Sequence, residues 1–187
     1  MIVVGGPNGA GKTTLVRRHM QAYGYLYLSA DAVAYEMQPD APEAAAAAAG
    51  REFLIRMKKQ IDDGGPFIVE STLSGRSMTS WYRRAKEKGY QCRTSMVFVD
   101  SPDRSVGRVA ARVKRGGHHV PEPDVRRRFE RSLQNFWNLY RPVSDSWELF
   151  YNGRRTHKMV AYNRDGALQI VREEQFDQFF RLAGITR

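Results

Sequence analysis

Eight consecutive residues constrain this 187-residue chain more than any others: Gly6-Pro7-Asn8-Gly9-Ala10-Gly11-Lys12-Thr13, directly after the apolar run Ile2-Val3-Val4. The spacing is G-x-x-x-x-G-K-[ST], the pattern of a phosphate-binding loop between a strand and a helix. The flanks agree with it, since a β-branched run precedes the loop and Leu15, Val16, His19, Met20 and Tyr23 follow at helical spacing. Glycines without Cβ atoms let successive backbone N–H groups close around an anion. The following helix adds the positive end of its dipole. Lys12 has the reach for β- and γ-phosphates, and the Thr13 hydroxyl is a ligand for Mg²⁺. Residues Gly6 to Thr14 are therefore the expected ATP-binding segment, with Mg²⁺ as the companion ion.

The chain is long enough for one well-buried domain over residues 1–187, and its 42% hydrophobic and 27% charged residues are ordinary for one. No run approaches the ~18 apolar residues that span a bilayer. The first strand is expected to begin almost at once, and no signal peptide is expected before it. A single cysteine, Cys92, excludes an intramolecular disulfide and a multi-cysteine metal site. A cytoplasmic protein without membrane contact is the expectation. The formal charge of +10 is concentrated between Arg104 and Arg131. Such an excess serves either nucleic-acid binding or a site crowded with phosphates; its local clustering favours an active-site lid, with a share of the charges on a solvated helical face.

Along the chain, strands are expected over residues 2–5, 25–28, 66–69, 93–99 and 147–151, alternating with helices over 12–23, 43–62, 77–88 and 103–114 and another from 124. Alternation of this kind builds a parallel α/β sheet, whose ligands sit at the carboxyl ends of the strands. Asp31 opens a helix on that rim, where its carboxylate is either a general base for a substrate hydroxyl or a helix N-cap. Glu70-Ser71-Thr72-Leu73-Ser74-Gly75 reaches the same rim as an acid among hydroxyls, suited to Mg²⁺-bound water or to a polar substrate. Asp100 is assigned a capping role before the helix that carries Arg104, Arg108, Arg112 and Arg115 on one side. Gly116-Gly117-His118-His119-Val120-Pro121 is a flexible connector, the histidine pair serving hinge and polar contact in preference to metal. The next helix carries Arg126, Arg127, Arg128 and Arg131, with Val125, Phe129, Leu133, Phe136 and Tyr140 as its core stripe. These two helices make a lid over about residues 104–131. Strands over 158–162 and 168–172 form a separate hairpin after turns at 152–153 and 163–166, and a helix over 173–182 ends the chain.

Four pieces taken together resemble the zeta-toxin-like family of P-loop kinases, especially its short bacterial branch. They are Gly5-Gly6-Pro7-Asn8-Gly9-Ala10-Gly11-Lys12-Thr13-Thr14, then Ser29-Ala30-Asp31, then Glu70-Ser71-Thr72-Leu73-Ser74-Gly75. The fourth runs from Arg108 through Gly116-Gly117-His118 and Val120-Pro121 into Arg126-Arg127-Arg128-Phe129-Glu130-Arg131-Ser132. The resemblance implies a five-stranded parallel kinase sheet flanked by helices, an arginine-rich helical lid and ATP-Mg²⁺ as phosphoryl donor. It further implies a small-molecule acceptor, UDP-N-acetylglucosamine in better-known members, and a toxin paired with an antitoxin protein. By position, Asp31 matches the catalytic base, Lys12 the phosphate-binding lysine, Thr13 the Mg²⁺ ligand, and Glu70 and Thr72 the acceptor-holding pair. Arg112 and Arg128 match the two catalytic lid arginines, with Arg115 and Arg127 as substitutes. Ser74 stands in the acceptor segment where the larger toxins carry an arginine; the nearest here is Arg76. The chain is also shorter than those toxins and has no transporter-type ATPase signature. Two other readings stay open beside the kinase: a nucleic-acid-end kinase or RNA-stimulated ATPase, and a nucleotide-dependent switch without an acceptor.

Overall fold

The first strand, β1 (Ile2–Gly5), is buried at every residue, and Val3 and Val4 have no exposed surface at all. A continuous apolar run of this kind suits a parallel strand covered on both faces. In a computed structural model that describes residues 1–153, 156–164 and 166–187, β1 lies between β3 (Phe67–Ser71) and β4 (Arg93–Phe98), parallel to both. Strand β2 (Leu26–Leu28) pairs outside β3, and β5 (Ser146–Tyr151) outside β4, again in parallel. The chain changes its direction of winding at β1, so the loop after β1 occupies the topological switch point where open α/β sheets bind ligands.

The sheet does not stop at five strands. β6 (Lys158–Arg164) pairs antiparallel with β5, and β7 (Ala167–Ile170) with β6, giving one seven-stranded sheet ordered β2-β3-β1-β4-β5-β6-β7. The expected detached hairpin is thus an extension of the main sheet. Its register against β5 shifts between Leu149 and Phe150, a local bulge that lets the returning strand follow the twisted edge. Of the turn expected over 163–166, Asp165 lies outside the described residues, as do Arg154 and Arg155.

Helices α1 (Lys12–Tyr23), α2 (Ala30–Met37), α3 (Ala46–Asp63), α4 (Met78–Glu87), α5 (Pro102–Val113), α6 (Glu122–Asn135) and α7 (Glu173–Ala183) flank the sheet. In α3, Ala49, Phe53, Met57 and Ile61 recur every fourth residue and are all buried, one apolar stripe facing the core. The helix begins at Ala46, later than the expected residue 43, because turns occupy the residues just before it. After α6 the backbone widens into a π-helical turn, Phe136–Tyr140, and then a 3-10 turn, Arg141–Val143. Rings of α7 lock that segment: Trp137 meets Phe180 edge to face at 4.7 Å, and Phe136 meets Phe179 at 6.0 Å.

The stripe expected to be one core along α6 is divided between two. Phe129, Leu133, Phe136 and Tyr140 belong to the main core, whereas Val125 joins Val109 and Val120 in a small separate cluster under the lid. The lid therefore has its own apolar centre, and the boundary falls within one turn of α6. Among the described residues, no helix is long and apolar enough to cross a membrane.

Candidate active site

The phosphate loop is shaped by close backbone packing. Gly6 has φ 142°, and a Cβ there would collide with the Val97 carbonyl oxygen of β4. Gly11 has φ 98° at the N-cap of α1, and its Cβ would occupy the place of the Asn152 amide. Both positions require glycine for conformation and for space. Lys12 is buried, at 8% exposure, and its Nζ donates to the Pro7 carbonyl at 3.0 Å. Burial pushes the Lys12 ammonium below the usual lysine range; Glu70 and Asp31 oppose that shift, and the positive charges of Arg112 and Arg128 add to it. Four of the residues singled out from sequence thus bear electrostatically on the Lys12 ammonium, although they come from four separate segments.

The Thr13 hydroxyl donates to both Glu70 oxygens, at 3.2 and 3.1 Å. The Tyr27 hydroxyl of β2 donates to Glu70 Oε2 at 2.8 Å, and burial with the adjacent Glu70 charge pushes this phenol well above its ordinary range. Glu70 therefore sits against the phosphate loop at the end of β3, beside the threonine expected to hold Mg²⁺. An all-oxygen set of hydroxyl and carboxylate suits a hard divalent cation. Asp31 lies exposed in the first turn of α2. Ser29 is the N-cap of that helix, its side chain accepting from the Ala32 N–H at 3.0 Å. With the cap supplied by Ser29, the alternative reading of Asp31 as a cap does not hold, and its carboxylate is left for other work.

Thr72 and Ser74 share a hydroxyl–hydroxyl bond of 2.9 Å. Between them Leu73 adopts φ 56°, an outlier for a residue with a Cβ. Its side chain is buried against Gly5, where a Cβ would collide with Leu73 Cδ1. The strained turn is held from the other side. Asn135 Nδ2 donates to the Leu73 and Gly75 carbonyls at 2.9 and 3.3 Å, and the Tyr140 hydroxyl also donates to the Gly75 carbonyl. Local strain anchored by several contacts is common where a binding segment must hold one shape.

The arginines of α5 divide between two tasks. Arg104 and Arg108 turn toward the main domain, Arg108 donating to the Gly9, Asn152 and Gly153 carbonyls at 3.4, 2.9 and 3.1 Å and Arg104 donating to Gly153. Half-buried Arg112 instead donates to the His118 carbonyl at 2.7 Å. On α6, Arg126 pairs with Asp103 and Glu122 at 2.7 and 2.8 Å, and Arg127 with Asp124 at 2.6 Å. Arg128 is half-buried and 3.8 Å from Asp124. Arg115 is exposed and donates to the Ala111 carbonyl. Among the lid arginines named from sequence, Arg112 and Arg128 bear on Lys12. The capping role assigned to Asp100 is corrected. Ser101 caps α5, accepting from the Arg104 N–H at 3.1 Å, while Asp100 pairs with Arg104 at 2.5 Å and accepts from the Tyr151 hydroxyl.

The connector between α5 and α6 is strapped down. Tyr35 of α2 donates to the Gly116 carbonyl at 3.1 Å, and Glu43 accepts from the His119 N–H at 3.2 Å with His118 Nδ1 3.7 Å away. These contacts dock the lid onto the segment that carries Asp31.

Sequence reasoning missed the outer wall of the phosphate loop. Asn152 Nδ2 donates to the Ala10 carbonyl at 2.8 Å, and His157 Nε2 lies 3.1 Å from the Gly11 carbonyl. Asn152 stood in the sequence only as part of a turn; its place at the carboxyl end of β5, on the ligand-bearing rim, was the available signal.

A glycine-rich loop at the switch point, a buried lysine within it and an acidic rim on a mostly parallel sheet define a P-loop nucleotide-binding protein of kinase-like fold. Residues 1–136 match the model of the AAA domain family AAA_33, and the chain belongs to that family. An uncharacterized protein of Haemophilus influenzae is 33% identical over 124 residues, 66% of this chain and 88% of that protein. Among solved structures, a chain of the AvrRxo1-ORF1:AvrRxo1-ORF2 crystal structure with sulphate ions superposes with a TM-score of 0.73 at 16% identity, covering 95% of this chain and 62% of that one. The chain thus spans less than two thirds of the length of that neighbour. A structure of the PezAT chromosomal toxin–antitoxin system of Streptococcus pneumoniae gives 0.67 at 17% identity, with coverage of 97% and 76%. A gluconokinase from Sinorhizobium meliloti gives 0.52 at 16% identity, covering 98% and 93%. The zeta-toxin-like resemblance is borne out at the level of the fold.

Proposed function

We propose that this protein transfers the γ-phosphoryl group of ATP to a hydroxyl of a small molecule, with UDP-N-acetylglucosamine as the leading acceptor, and that it acts as the toxin of a toxin–antitoxin pair. The observation that carries the catalytic part is the Glu70 carboxylate bonded to Thr13 beside the buried Lys12 of the phosphate loop, with the charges of Asp31, Arg112 and Arg128 also acting on that lysine. In this reading the loop amides and Lys12 hold the β- and γ-phosphates. The Asp31 carboxylate accepts the proton of the acceptor hydroxyl as its oxygen bonds to the γ-phosphorus. The bond from that phosphorus to the β,γ-bridging oxygen breaks, and ADP departs with the electron pair. Arg112 and Arg128 stabilise the charge spread over the transferring group.

Thr13 and Glu70 are the residues that would hold Mg²⁺, which when bound supplies charge neutralisation on the phosphates. Thr72 and Ser74, with paired hydroxyls on the strained turn, are the proposed acceptor contacts, and Glu70 precedes them on the same segment. The toxin role and an antitoxin partner are supported by the fold shared with the PezAT system. A nucleic-acid partner is less favoured, because Arg104, Arg108, Arg126 and Arg127 are already engaged within the protein.

The test is label transfer from γ-³²P-ATP across nucleotide sugars, dinucleotides and RNA. A phosphorylated nucleotide sugar made by wild type supports the reading; release of inorganic phosphate alone, whatever acceptor is offered, points to an ATPase switch. Expression in cells separates the toxin claim: growth arrest by wild type but not by Asp31→Ala is expected, and equal tolerance of both removes it.

A further inference from the structure

The inner face of the phosphate loop depends on what its outer face is tied to. In a trans peptide the C=O and the following N–H point in opposite directions. Fixing the Ala10 carbonyl outward therefore turns the Gly11 N–H inward, and fixing the Gly11 carbonyl outward does the same for the Lys12 N–H. Those two amides open the first turn of α1, where N–H groups have no intrahelical partner and an anion is the natural acceptor. Asn152 donates to the first carbonyl at 2.8 Å, and His157 stands 3.1 Å from the second, which shares its other side with the Leu15 N–H of α1 at 3.3 Å. A carbonyl only accepts, so the imidazole donates from Nε2 and its Nδ1 carries the lone pair. Nδ1 is buried without a partner, as is Asn152 Oδ1.

Both side chains are placed by the extended sheet. Asn152 is 4% exposed and follows β5, with its own N–H bonded to the Phe98 carbonyl at 2.9 Å. His157 immediately precedes β6 and packs edge-on against Phe150 at 6.5 Å. Arg108 adds a third tie, joining the Gly9 carbonyl to those of Asn152 and Gly153. The antiparallel hairpin thus does more than widen the sheet, because it delivers a histidine to the back of the loop.

We infer that Asn152 and His157 are positioning residues for phosphate binding: together they clamp the Ala10 and Gly11 carbonyls outward and so preset the Gly11 and Lys12 amides for the phosphate chain. The inference rests on the nucleotide-binding part of the function proposed above, and on none of its claims about the acceptor. Burial holds the His157 imidazole below the usual histidine range, which keeps a neutral donor at Nε2 at physiological pH.

The experiment is calorimetric titration of the full-length protein with Mg²⁺-AMP-PNP and, separately, with inorganic pyrophosphate, alongside the melting temperature of each ligand-free variant. Loss of one preset bond is worth about a tenfold weakening. Asn152→Ala and His157→Phe are each expected to weaken both ligands by about that factor. Asn152→Asp, which sets a carboxylate oxygen against the Ala10 carbonyl, should weaken them further. His157→Gln keeps an N–H donor of similar reach and should bind within about twofold of wild type.

The clamp is overturned if folded Asn152→Ala and His157→Phe bind both ligands as wild type does, whatever their melting temperatures. It is also overturned if the loss spares pyrophosphate, which would make these residues readers of the base, or if His157→Gln falls as far as His157→Phe. Should wild type itself bind neither ligand, the nucleotide reading fails instead.

Discussion

Lys12 is the residue at which function works against stability. Its ammonium is buried with one hydrogen bond, and desolvation is the largest influence on it. Replacing it by methionine removes that cost, so Lys12→Met is expected to raise ligand-free stability by about 1 kcal/mol while weakening ATP by roughly a hundredfold. Chemical denaturation and ATP titration check the two halves. The pH dependence has a definite sign. The folded-state value lies below the ordinary 10.5, so the stability gap between variant and wild type is full below the depressed value. It closes as pH rises from there toward 10.5, because the native lysine can then shed its proton. Gly6 gives the opposite case, a residue whose backbone shape the fold itself requires. Gly6→Ala combines a positive φ with a collision against β4, and is expected to cost about 3 kcal/mol in urea unfolding.

At the scale of elements, the connector of the lid is held by few of the described contacts. It meets the rest of the molecule through Tyr35 and Glu43. The bond from the His119 N–H keeps the Glu43 carboxyl below the usual carboxylate range, so the contact is present above an ordinary value of 4.5 and is lost as pH falls through the depressed one. A Tyr35→Phe, Glu43→Gln double variant should exchange the His119 amide hydrogen roughly fivefold faster in the ligand-free protein; unchanged protection would mean that the strap does not hold the lid. The parallel strands, the phosphate loop and the rim residues Asp31 and Glu70 were legible in the sequence because each follows from a local pattern: an apolar run, a glycine spacing, an acid at a strand end. What was not legible depends on partners distant in the chain. His157 reaches Gly11 across 146 residues, and nothing near His157 marks it for that contact. The hairpin was read correctly as two strands, but its attachment to β5 is a matter of edge pairing. Arg104 and Arg108 looked like Arg112 on a helical wheel; the position of Gly153 beneath them separates their roles.

For the molecule as a whole, the C-terminal half contributes support for the loop. The aromatic cluster of α7 fixes the π-helical turn, and that turn in turn holds the Leu73 segment through Tyr140. Phe179→Ala is accordingly expected to cost about 4 kcal/mol of stability by thermal or chemical unfolding. ATP at a hundred times its dissociation constant should stabilise wild type by about 2.7 kcal/mol. The central claim is that Asp31 serves the chemistry and not the binding of nucleotide. It is tested most directly by measuring, on the same preparations of wild type and Asp31→Asn, the ATP dissociation constant and the single-turnover rate of γ-³²P transfer to UDP-N-acetylglucosamine. The account predicts binding within about twofold and a transfer rate lower by roughly a hundredfold or more. Transfer at the wild-type rate by Asp31→Asn, or a loss of binding as large as the loss of transfer, would contradict it.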